Sequence, residues 1–96
     1  MSWYRLTLNS VQMAAGEAHK RKEAFAEAFA AARAPREMAL FQKEREDGGL
    51  DLYFTPDCGE YAAELLNEWS CAPCDRPSMA GLHLLVGHNE MTYYMP

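Results

Sequence analysis

Apolar and polar positions alternate from Trp3 to Leu8, with Tyr4, Leu6 and Leu8 on one face and Trp3, Arg5 and Thr7 on the other. A strand covered on one side requires this pattern. The period changes between Glu17 and Arg33, where Ala18, Phe25, Ala28, Phe29 and Ala32 recur at three- and four-residue steps opposite a charged side. That spacing predicts an amphipathic helix lying on a flat floor and stopping before Pro35. Between these two elements, Asn9-Ser10 offers a turn or a cap, and Val11–Gly16 reads as a loop because Gly16 weakens a helical turn. Glu37–Glu44 reads as a second strand, with Met38 and Leu40 facing one way and Ala39, Phe41 and Lys43 the other. Asp47-Gly48-Gly49 is a hairpin signal. A third strand follows over Leu50–Thr55, with Leu50, Leu52 and Phe54 opposite Asp51 and Tyr53.

Thr55-Pro56-Asp57 opens a second helix running to about Trp69, with Tyr61, Ala62, Leu65 and Trp69 expected inward. Ser70–Gly81 reads as a loop, and Leu82–Val86 as a fourth strand ended by Gly87. The order β-α-β-β-α-β predicts one α+β domain over residues 1–96. Its expected architecture is the ferredoxin-like, split βαβ sandwich: a four-stranded antiparallel sheet with two helices on one face. The segment 89–96 is apolar enough to be expected packed on the domain or on a partner.

If both helices cover one face, the alternation names the other. With Leu6, Leu40, Leu52 and Leu84 inward, the open side carries Trp3, Arg5, Thr7, Phe41, Lys43, Asp51, Tyr53, His83 and Leu85. Such an aromatic face reads as an interface, and Trp3, Arg5, Phe41, Tyr53, His83 and Leu85 are its candidate residues. The expected role is a small non-enzymatic domain acting through self-association, as a homodimer, or through binding of a protein or small ligand. Aromatics on the open sheet of this fold resemble RNA-binding RRM modules, where bases stack on them. The RNP-type run of Lys/Arg, Gly and aromatics is absent from Glu37–Glu44 and Leu50–Thr55, and the net charge is -5. Nucleic acid and anionic membrane are therefore not expected as partners. His19-Lys20-Arg21-Lys22 is too short a cluster to reverse this and reads as the solvated start of the long helix.

One short motif carries candidate chemistry. Glu68-Trp69-Ser70-Cys71-Ala72-Pro73-Cys74 resembles, over seven residues, the tryptophan-plus-CxPC element of thioredoxins. The resemblance implies a reversible disulfide between Cys71 and Cys74, hence an alternative role as a thiol redox or metal-responsive protein. The setting departs from that family: here the pair follows a helix, whose dipole disfavours thiolate, instead of opening one. As half of a zinc site the pair needs further ligands. Cys58 lies at the far end of the same helix, about 20 Å away at a helical rise, which leaves His83 or His88 as recruits. Cys58 itself reads as a small buried apolar residue. Phosphate-binding glycine loops, nucleophile elbows and paired acid/base sets are not matched, and no cofactor is expected. Three cysteines without a disulfide framework, and a start at Met1–Arg5 that leads straight into a strand pattern, predict a cytoplasmic setting.

Overall fold

The structure, a computed structural model, describes residues 2–33 and 37–87. Its elements are β1 (Trp3–Leu8), α1 (Ser10–Ala14), α2 (Glu17–Ala31), β2 (Leu40–Glu44), β3 (Leu50–Phe54), α3 (Cys58–Tyr61), α4 (Ala63–Glu68), β4 (Ala72–Cys74) and β5 (Leu82–Val86). The fold is α+β, with one five-stranded antiparallel sheet in the order β4-β1-β3-β2-β5. A four-stranded sheet closed by Leu82–Val86 was expected; the strand beside β1 is instead β4, drawn from the segment read as loop. Leu82–Val86 lies at the opposite edge, beyond β2. Pro73 masks β4 in the sequence, yet a proline is tolerated in an edge strand where its missing N–H faces away from the ladder.

Local chemistry explains most boundaries. Asn9 caps α1 through a reciprocal box, its side chain accepting from the Gln12 N–H at 2.9 Å while the Gln12 side chain accepts from the Asn9 N–H at 2.8 Å. The residues read as loop therefore form a helical turn, and Gly16, at φ 77°, separates it from α2. In the hairpin between β2 and β3, the Asp47 carboxylate accepts from the Gly49 N–H and from Arg45, both at 2.9 Å. Gly48 supplies the positive φ of 84° there. The second helix is broken at Ala62 (φ -118°) into α3 and α4.

The main core fills the space between the helices and one face of the sheet. Leu6, Leu8, Leu40, Leu50, Leu52 and Phe54 meet Phe25 of α2 and Cys58, Ala62, Leu66 and Trp69 of the α3–α4 arm. Phe54 is its centre, edge-on to Phe25 at 5.4 Å and 6.0 Å from the Trp69 ring. The inward face of the arm is thus Cys58, Ala62, Leu66 and Trp69; Tyr61, expected inside, is 43 % exposed, and Leu65 is only half-buried. Among the described residues no helix is long and apolar enough to cross a membrane.

Candidate functional site

On the side of the sheet away from the helices, Trp3, Ala39, Phe41 and Tyr53 form a second hydrophobic cluster, with Cys74, Leu82 and Leu84 packed against it. Trp3 and Phe41 meet at 6.0 Å between ring centroids. Alternation along β1, β2 and β3 places Trp3, Arg5, Phe41 and Tyr53 on one face, as read from the sequence. The aromatics are not bare, however: Trp3, Phe41 and Tyr53 are 6, 1 and 8 % exposed. The accessible positions of this face include polar ones beside the half-buried Leu82 and Leu84. Thr7 donates to Asp51 at 2.8 Å, Arg45 reaches Asp51 at 3.5 Å, and Lys43 donates to Ser78 at 2.8 Å. Lys43, Arg45, Asp47, Asp51 and Tyr53 also border an open hollow of about 500 Å³ at the hairpin end of the face.

Two candidate residues are elsewhere. Leu82 and Leu84 oppose Lys43 and Phe41, and His83 opposes Gln42, so His83 points to the helix side of the sheet. A register shift between Leu40 and Phe41 then makes Leu85 a bulge residue, and Leu85 packs against the helix-side core together with Val86. The aromatic face thus loses His83 and Leu85 and gains Leu82 and Leu84. In the run Leu82-His83-Leu84-Leu85-Val86 the wholly apolar phase is Leu82, Leu84 and Val86, which points it inward by alternation; the bulge, which alternation does not show, splits that phase between the two faces. Expectations for His88 and for residues 89–96 lie outside the described residues.

Both edges of the described sheet resist strand addition. β4 has three residues with Pro73 in the middle. On β5, the Leu82 N–H is already bonded to the Met79 carbonyl at 3.2 Å, and the bulge at Leu85 breaks the ladder.

The two motif cysteines sit on opposite sides of the sheet. Cys71 packs against the helix-side core and, with Tyr4, Leu66, Asn67 and Pro73, lines a hollow of about 290 Å³. Cys74, opposite Trp3, packs against the aromatic cluster. A run extended across four residues separates its terminal Cα atoms by about 10 Å, beyond the roughly 7 Å within which a disulfide closes. Cys58, Cys71 and Cys74 are all free thiols. Burial pushes the Cys71 thiol up from 9.0 to about 11, against the opposing pull of Arg21. Burial also raises Cys74, partly offset by Arg5. Neither is an activated thiolate while β4 is in place.

The same topology keeps His83 away from the cysteine pair. His83 is on β5, and Cys71 and Cys74 are at the start and end of the β4 edge, four strand spacings away and hence about 19 Å. Among the described residues no cluster of three or more His, Cys, Asp or Glu side chains could hold a metal ion. Cys58 is fully buried, as expected. Its thiol lies 3.2 Å from the Thr55 hydroxyl and donates to the Ala39 carbonyl at 3.4 Å, joining the start of α3 to the chain entering β2. Comparison of the chain with protein-family profiles, with curated proteins and with solved structures gives no match.

Proposed function

We propose that this chain is a small non-enzymatic domain that acts by self-association, as a homodimer, or by partner binding through the helix-free face of its sheet. The first four strands, in the order β4-β1-β3-β2, are read as a ferredoxin-like unit to which β5 is added. The observation that carries the reading is the second hydrophobic cluster, Trp3, Ala39, Phe41 and Tyr53, on a face that no described helix covers. It shares that face with the more accessible Arg5, Thr7, Lys43 and Asp51. This set carries both charge signs, and a two-fold axis can bring unlike charges together across an interface of identical faces. The blunted edges favour the face over the edge as the contact.

Charge reversal at the surface tests this without unfolding the protein. Arg5→Glu and Lys43→Glu are each expected to weaken assembly about tenfold, a typical effect for a charged interface position, with little change in melting temperature. Trp3→Ala and Tyr53→Ala should weaken it further, together with stability. Assembly or partner capture unchanged by both charge reversals would overturn the proposal.

A further inference from the structure

The Cys71-Ala72-Pro73-Cys74 segment has no part in the face described above except at its last residue, yet it contains all of β4. Among the described residues the strand is bound on one side only, through Cys74 opposite Trp3, Pro73 opposite Tyr4 and Ala72 opposite Arg5. Its start is fixed firmly. The Cys71 N–H bonds back to the Leu66 carbonyl at 2.8 Å and the Ser70 N–H to the Asn67 carbonyl at 3.1 Å, with Ser70 at φ 56°. This is a Schellman close of α4. Its far end is held by the pairing with β1 and by the contact of Cys74 with the aromatic cluster.

We infer that β4 is a redox-sensitive latch: a disulfide between Cys71 and Cys74 and the pairing of β4 with β1 exclude each other, so that oxidation of the pair releases the strand from the sheet edge. In the strand, the thiols point to opposite faces and their Cα atoms are too far apart to bridge. Two cysteines separated by two residues can bridge only when the run between them is no longer extended, and β4 must leave the ladder to become so. Whatever binds only the detached state shifts the equilibrium toward it, and the covalent S–S bond binds only that state.

The oxidant is a low-molecular-weight disulfide such as glutathione disulfide. When β4 leaves the edge, the burial that raises the Cys74 thiol is relieved, and Cys74 loses its proton and attacks one sulfur of that disulfide. A mixed disulfide forms, and one glutathione thiolate leaves and takes up the proton. With β4 detached, the Cys71 thiolate attacks the Cys74 sulfur. The Cys71–Cys74 bond forms, and the second glutathione leaves as a thiol with the proton Cys71 has shed. The pair has given up two electrons and two protons, and one glutathione disulfide has become two thiols. Because Cys71 is anchored to α4, Cys74 is the end that moves, and its departure uncovers the β1 edge and one side of Trp3.

The test uses the full chain in a series of glutathione redox buffers. Intact mass and peptide mapping locate the disulfide, and hydrogen–deuterium exchange reads the backbone of Trp3–Arg5. The expected result is a loss of two hydrogens assigned to Cys71 and Cys74, accompanied by lost protection at Trp3–Arg5, both reversed by reductant and both absent in Cys74→Ser. Ala72→Val, which favours the strand, should lower the oxidation equilibrium constant relative to Ala72→Gly, by about fivefold between the two. A Cys71–Cys74 disulfide that leaves Trp3–Arg5 protected would overturn the latch. So would a pair that never closes in the most oxidising buffer, or an oxidation equilibrium indifferent to residue 72.

Discussion

Among the described residues, Arg33 (φ 50°) and Ser70 (φ 56°) bear side chains on left-handed backbone, each just past the last turn of a helix. That conformation costs a side-chain-bearing residue about 1 kcal/mol relative to glycine. Ser70→Gly is therefore expected to raise stability by about 0.5–1 kcal/mol in denaturant unfolding, with no change in fold. Gly49 is the converse case. A Cβ there would lie 2.5 Å from the Leu8 carbonyl oxygen, so Gly49→Ala should destabilise by about 1–3 kcal/mol. Cys71 predicts a pH dependence. Its thiol titrates near 9.0 when unfolded and near 11 in the fold. Between those values the unfolded chain holds fewer protons than the native one, so stability falls as pH rises through the window and is unaffected below it. Thermal melts from pH 8 to 11 should fall more steeply for the native sequence than for Cys71→Ala, in which this titration is gone.

At the scale of elements, the sequence made the alternating strands legible, since each buries one side of a pleated sheet: the faces of β1, β2 and β3 follow from Trp3, Phe41 and Tyr53 standing out of phase with Leu6, Leu40 and Leu52. It was less informative where two patterns overlap. In the α3–α4 arm, Ala62 and Ala63 are adjacent, as are Leu65 and Leu66, and the choice between them depends on the break at Ala62, which no breaker residue announces. In β5 the bulge decides the phase, and in β4 a three-residue strand hides behind a proline. Four of the six candidate face residues were legible for the same reason: those on β1, β2 and β3 share the face, and His83 and Leu85 on β5 do not. The turn before α2 could have been recognised, because Asn9 with Gln12 three residues on is a capping pair. Asn9→Ala is expected to cost about 1 kcal/mol, with the loss of protection in hydrogen exchange concentrated in Ser10–Ala14.

At the scale of the whole molecule, one sheet separates two hydrophobic clusters with different supports. The helix-side cluster contains both Phe25 and Phe54, completely buried. Phe25→Ala should cost about 3–5 kcal/mol, a large share of the roughly 5–15 kcal/mol that holds a domain of this size folded. The helix-free cluster of Trp3, Ala39, Phe41 and Tyr53 is smaller and shares its face with Arg5, Thr7, Lys43 and Asp51. The same face borders β4 at Trp3, so a change in that strand alters this face directly.

The most direct measurement of this account is sedimentation equilibrium of the reduced, full-length chain over a wide concentration range, beside Arg5→Glu. The account predicts a concentration-dependent rise from the monomer mass of 10.9 kDa to twice that value, displaced to higher concentration by the substitution. A mass that doubles identically in both proteins would contradict assignment of the contact to the helix-free face, and a monomer at every concentration would contradict the dimer itself.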